Sequence, residues 1–355
     1  MTTFTITMPR ALDLIAALEF PAKLPAPVDC KILIFDFKSS SLIEPFAMLM
    51  ISSEISRYMH EHQDVEFKCS NYMHMSYAGH MGFFKSFGLD FGKSPGEANG
   101  SSRYVPLTIY STSDIEKSAA SKGIEIGDEV ETISQQLSYT LCHIKEGILF
   151  DTLSYSIREI MRNVVEHSAA SRFGICAQYW PSKNKAEVAI FDRGIGIKKS
   201  LSQNPHIDAS DDKRSLNYAL MPAVSGKAFK GSRVKQKGHW ANSGFGLYMT
   251  NRICRNGGTF FICSGDTGML LTKKSNAKRY FSTNLHGTAV RMVLKTDQLS
   301  SLKEALDTYK NEGYEIQKRY KEIINIDPSS ASLMLSTDFD LSIWGKILAA
   351  LKLRN

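Results

Sequence analysis

The alternation of apolar and polar positions gives the chain two successive rhythms. In residues 1–120, short apolar runs alternate with helical ones. Phe4–Met8 reads as a strand, and Cys30–Phe37, with its run Ile-Leu-Ile-Phe, as a strongly apolar one. A serine turn follows, then a helix from Pro45, at a favoured first-turn position, to about His62. Val65–Cys69 predicts another strand and Ala78–Phe87 another helix. The Gly-, Ser- and Pro-rich stretch Gly92–Arg103 predicts a loop, and Tyr104–Ser111 a further strand. Strands alternating with helices predict a small α/β domain over residues 1–120.

Further along, the period lengthens. A helix is predicted at about Asp128–Glu146 and a second at Leu153–His167, where Ile157, Ile160, Met161, Val164 and Val165 recur at helical spacing. That spacing puts Glu159, Asn163 and His167, at i, i+4 and i+8, on one polar face. Phe173–Tyr179 and Ala186–Phe191 predict two strands joined by a polar turn at Pro181–Lys185. Gly244-Phe245-Gly246 opens a helix carrying Leu247, Met249, Ile253 and Cys254, which Gly257-Gly258 closes. Thr259–Ser264, Met269–Thr272 and Thr288–Leu294 predict three more strands. A charged amphipathic helix, roughly Ser300–Ile323, a polar connector Asp327–Ser336 and a last helix with Ile343, Trp344, Ile347, Leu348 and Leu351 on one face complete a helical extension over 296–355.

Composition narrows the setting. At 355 residues, two to three domains are expected, and 43% hydrophobic with 22% charged residues is ordinary for a soluble protein. No apolar run has the length of a membrane span, the N-terminus does not read as a signal peptide, and the six scattered cysteines contain no Cys-x-x-Cys. Reduced thiols in a cytoplasmic protein without structural zinc are therefore expected. The net charge of +7 concentrates in Gly226–Gly238, which holds Lys227, Lys230, Arg233, Lys235 and Lys237. With no interleaved aromatic and basic residues elsewhere, this argues for a phosphate-facing lid rather than nucleic-acid binding.

The candidate chemistry lies in an ordered series: Glu159-x-x-x-Asn163, Asp192-x-Gly194-x-Gly196, Ser243-Gly244-Phe245-Gly246-Leu247 and Gly287-Thr288. Each is commonplace alone; an Asp-x-Gly-x-Gly pattern arises in about one chain in ten at ordinary glycine content. Context makes them informative. Asp192 ends a buried strand, where an ionised carboxylate needs a partner such as the exocyclic amine of adenine. Gly194 and Gly196 permit close approach to a flat ring. A glycine turn feeding a helix N-terminus presents the N–H groups and positive dipole that a phosphate chain needs.

In these motifs the region Asp128–Lys295 resembles the GHKL (Bergerat-fold) ATPases, which include DNA gyrase, the ninety-kilodalton heat-shock chaperone, histidine kinases and anti-sigma serine kinases. The resemblance implies an α+β fold: an α/β sandwich with helices on one face of a mixed sheet, over 128–295. It implies ATP and Mg²⁺ as ligands. Asn163 would bind the metal and Glu159 would orient or deprotonate the nucleophile. Asp192, Gly194, Gly196 and Thr288 would form the adenine side, while Ser243, Gly244, Phe245, Gly246 and Leu247 would hold phosphates with Lys227 of the lid. His167 fits the kinase and anti-sigma branch, where a basic or aromatic residue often follows the Asn. Asn242 stands where the family commonly has Gly, although Asn tolerates positive φ better than other residues. His143 lacks the acidic neighbour and downstream Pro of a phosphoacceptor, which argues against an ordinary sensor kinase.

The first 120 residues resemble a STAS domain in pattern. Glu44-Pro45-Phe46 stands where that family's acceptor Ser and Gly occur, so Ser39, Ser40 and Ser41 read as turn formers. Three functions stay open: an ATP-hydrolysing conformational switch, a protein serine/threonine kinase, and a non-hydrolysing nucleotide sensor. A protein partner, or a second copy, is expected at the N-terminal domain or the C-terminal helices.

Overall fold

The computed structural model describes residues 2–26, 30–227, 244–272 and 275–326. Asn242, Ser243, residues 228–238 of the basic segment, the 327–336 connector and the last amphipathic helix lie outside the described residues.

The N-terminal run forms β1 (Thr3–Thr7), β2 (Ala11–Leu12), α1 (Leu14–Glu19), β3 (Ile32–Asp36), β4 (Leu42–Ile43), α2 (Pro45–Glu61), β5 (Glu66–Ser70) and α3 (Ser76–His80). Strands β1, β3 and β5 pair in that order, all parallel, as crossover connections require. Helix α3 is shorter than the predicted Ala78–Phe87. Gly82 takes φ 88° and breaks the helix, and the chain resumes as a 3₁₀ turn at Lys85–Phe87. In the serine turn, Ser40 is buried and its hydroxyl donates to the Pro9 carbonyl at 2.9 Å, so this residue is a structural turn former.

The rest of the chain forms β6 (Tyr104–Ser111), α4 (Thr112–Lys122), α5 (Ile126–Cys142), α6 (Ile148–Asn163), β7 (Arg172–Trp180), β8 (Lys185–Asp192), α7 (Gly196–Leu201), α8 (Asp212–Ala219), α9 (Gly246–Arg255), β9 (Thr259–Thr272), β10 (Ser275–Lys295) and α10 (Leu302–Ile326). A five-stranded sheet has the order β6-β7-β8-β10-β9. Three expectations are corrected here. The 104–111 strand, read with the N-terminal strands, pairs instead with β7. The sheet is also not mixed: each of its four pairings is antiparallel. The three predicted strands from Thr259 onward are two, because β9 and β10 run on through bulges as one long hairpin.

Both faces of this sheet are covered. Val188, Ile190, Ile262, Val290 and Met292 pack with α5, α6 and α9. The alternate positions Ala189, Phe191, Phe261, Cys263 and Ala289 pack with α2. Helix α2 therefore lies between two sheets, and its consecutive Phe46-Ala47-Met48-Leu49-Met50-Ile51 are all buried, as a helix apolar on every side must be. Its N-terminus is fixed by charge. The wholly buried Glu187 of β8 accepts from the Phe46 N–H at 3.3 Å and from Arg291 at 2.7 Å, while Glu44 accepts from Lys185 at 2.8 Å and Arg291 at 2.9 Å. Burial opposes ionisation of Glu44, but Arg291 and Lys185 outweigh it and hold the carboxyl below its ordinary range. Among the described residues no helix is long and apolar enough to cross a membrane, and none of the six cysteines is in a disulfide.

Candidate functional site

On the helix-covered face, strand register gathers the sequence motifs. Asp192 is the last residue of β8 and stands directly opposite Thr288 of β10, which in turn stands opposite Ser264 of β9. Two residues away along each strand are Ile190, Val290 and Ile262, so three polar residues in a row across the sheet adjoin an apolar floor. Between α6 and this floor opens a cleft of about 850 Å³, counting its open mouth. Asn163, His167, Asp192, Gly196, Gly244, Gly246, Leu247 and Thr288 all line it.

The Asp192 end is tightly built. Asp192 is 3% exposed, and burial raises its carboxyl from 3.8 to about 6, against the hydrogen bond it accepts from Gly194 N at 2.8 Å. Gly194 is required by space, since a Cβ there would lie 2.1 Å from the Ser168 carbonyl oxygen. That same carbonyl accepts from Ile195 N at 2.7 Å. The Ser264 hydroxyl donates to Gly287 O at 2.8 Å and accepts from Ile197 N at 3.0 Å. Ser168 and Ser264 thus brace the turn, although sequence reasoning passed over both. The period-2 pairing of Ser264 with the buried Ile262 was the available signal for one of them.

The opposite end is formed by α6 and the glycine turn. The predicted helix through His167 does not continue as an α-helix. Beyond Asn163 it widens into a π turn, Val164–Ser168, closed by Ala169 at φ 53°. Such turns often mark functional positions. Asn163 Nδ2 is buried with no hydrogen-bond partner among the described residues. Glu159 lies against the turn: a Cβ on Gly246 would be 2.1 Å from Glu159 Oε2. Its other oxygen accepts from Arg158 Nη2 at 2.8 Å, and Arg158 Nη1 also reaches Glu131 at 2.8 Å. Burial, with Lys227 and Arg162 nearby, holds His167 below its ordinary value, so it is neutral at pH 7. The Lys227 ammonium donates to the Glu166 carbonyl at the cleft rim.

Of the described residues predicted to form the site, Glu159, Gly194, Lys227 and Phe245 do not line the cleft. Phe245, between the two phosphate-turn glycines, points away from the cleft into a separate apolar cluster with Met221, Tyr248, Met249, Ile316 and Tyr320. Ser243 lies outside the described residues. Compared with known proteins, the chain matches no family model, and no curated protein matches it significantly.

Proposed function

We propose that this cleft binds ATP with magnesium, and that the chain is a cytoplasmic, ATP-hydrolysing conformational switch of the GHKL kind with a STAS-like unit packed on the second face of its sheet. One observation carries the reading: a single cleft has Asp192 opposite Thr288 at one end and Asn163, Gly244 and Gly246 at the other, with Glu159 packed against Gly246. The Asp192 carboxylate, buried beside an apolar floor, suits an adenine amine, and the hydrogen bond would be charge-assisted. The glycine turn at the start of α9 suits phosphates, since a Cβ on Gly244 would meet the 223–224 backbone at 2.8 Å and crowd out the turn.

Magnesium fits the residues present. The orphaned amide of Asn163 presents its oxygen when the side chain is rotated half a turn, and oxygen is the ligand that this cation prefers. Bound there, the ion would neutralise phosphate charge. Glu159, beside Gly246 and one turn before Asn163 on α6, would take a proton from, or align, an attacking water.

The test is calorimetric titration with MgATP and MgGTP, followed by incubation with γ-labelled ATP alone and with lysate. ATP-selective binding and label released as free phosphate support a hydrolytic switch. Label retained on a Ser or Thr of a lysate protein moves the reading to a kinase, and no binding of ATP rejects it.

A further inference from the structure

The orientation of Phe245 leads beyond the site itself, to the C-terminal helix. Along α10, Leu302, Leu306, Tyr309, Gly313, Ile316 and Tyr320 alternate at spacings of four and three and form one face. This face packs on α9 and α6. At its middle, where a large residue would continue the stripe, stands Gly313. A Cβ there would lie 2.7 Å from the Phe245 ring, 3.0 Å from Pro222 and 3.1 Å from the Tyr248 ring. Glycine is unfavourable inside a helix, so its presence needs a packing reason, and the Phe245 ring supplies one.

The ring is held from other sides too. It meets Tyr314 edge-on at 5.3 Å and Tyr248 at 6.2 Å between centroids, and is 6% exposed. An ion pair between Arg252 of α9 and Glu312 of α10 at 2.9 Å, and a Tyr218–Tyr320 hydroxyl contact at 2.9 Å, flank the socket. The backbone on either side of Phe245 is the glycine turn itself: Gly244 at φ 72°, its carbonyl accepting from Ala223 N at 3.1 Å, and Gly246 against Glu159.

We propose that Phe245 is a positioning residue, and that docking of α10 around its ring sets the geometry of the phosphate turn. Triphosphate binding and α10 docking are then coupled, and coupling of binding free energies is reciprocal. This inference rests on the nucleotide reading above.

The decisive variant is Gly313→Ala in the full chain. It raises helix propensity but sets a methyl against the Phe245 ring, so a merely structural role would show as a change in stability that affects ATP and adenosine alike. If the ring sets the turn, the added methyl displaces it: ATP affinity falls about tenfold, in the range of coupling between touching side chains, while adenosine, which lacks phosphates, binds within about twofold of the parent. Adding Phe245→Leu makes room for the methyl and restores most of the ATP affinity. In the unmodified chain, ATP raises hydrogen-exchange protection of amides 306–320, a measurement that stands even if Gly313→Ala fails to fold. Equal losses for ATP and adenosine, no loss for either, or unchanged exchange in a parent that binds ATP overturns the coupling. A parent that binds neither ligand rejects the nucleotide reading, and the coupling with it.

Discussion

Replacing Asp192 with Asn should strengthen the fold while weakening the site, and the size of the effect follows from burial. The carboxyl is 3% exposed and titrates at about 6 instead of 3.8. A folded-state value above the unfolded one means that the protonated form is favoured by folding. The stabilisation is complete below about pH 4 and is lost as pH rises through 6. At neutral pH the ionised carboxylate therefore costs the ligand-free protein about 3 kcal/mol at most. Asn does not titrate, and its oxygen can still accept the bond from Gly194 N. Thermal melts of parent and variant without nucleotide should give a Tm several degrees higher for Asp192→Asn at pH 8, with the gap closing by pH 4.5. Titration with ATP should show the opposite order, the variant losing about 2–3 kcal/mol through its lost charge-assisted bond. In the parent, ATP binding at pH 5.5 should release protons, because the adenine amine favours the ionised carboxylate. If Asp192→Asn melts below the parent at pH 8 by an amount that does not change with pH, the carboxylate is not under the strain assigned to it. If it binds ATP as tightly as the parent, the adenine is not there.

Three further outcomes are expected. Asn163→Ala should abolish the magnesium dependence of ATP affinity measured with and without EDTA, leaving the residual adenosine affinity unchanged. Glu159→Ala should keep MgATP affinity within a few-fold yet lower phosphate release by about 10²–10⁴-fold; a variant that turns over normally would remove Glu159 from the chemistry. Arg291→Ala should destabilise the chain by about 3–5 kcal/mol in denaturant unfolding, because it strips a cation from the wholly buried Glu187. The paired exchange of Arg291 and Glu187 for apolar residues of similar volume should recover most of that loss.

How much of this was legible in the sequence depends on the range of the interaction involved. Asp192 at a strand end, the glycine turn before α9 and the Glu159–Asn163 face follow from local period, and the structure places them where that period puts them. The π turn after Asn163 depends on contacts of Ser168 with Gly194 and Ile195, which no helical pattern contains. Likewise, Tyr104–Ser111 reads as a strand, but which sheet it joins is decided by its pairing with residues about seventy positions later. The burial of α2 on every side was written in Phe46–Ile51, six apolar residues in a row, yet it was read as an ordinary helix of one small domain. Phe245 misled for a related reason: its neighbours Gly244 and Gly246 face the cleft, and only the notch at Gly313, far along the chain, shows where the ring goes.

The placement of α2 constrains how the N-terminal unit can influence the site. Successive strand residues point to opposite faces, so Asp192 and Arg193 divide between the cleft and α2. Arg193 donates to Glu54 at 2.8 Å and to Ser53 Oγ at 3.0 Å, and the other Glu54 oxygen accepts from Arg57 at 2.9 Å. At the far end of α2, Glu44, Glu187, Lys185 and Arg291 form the second charged junction. Lifting the unit away would break both junctions and expose Phe46, Phe191 and Phe261 together. Exposing these three rings alone would cost about 1.5–3 kcal/mol each, together more than the 1–3 kcal/mol typical of allosteric coupling. Separation of the two units is therefore too expensive to serve as the switch. The N-terminal unit supports the strand end that carries Asp192, through the pairs of Arg193 with α2 and through the packing of Phe191 and Ala289 on the same helix.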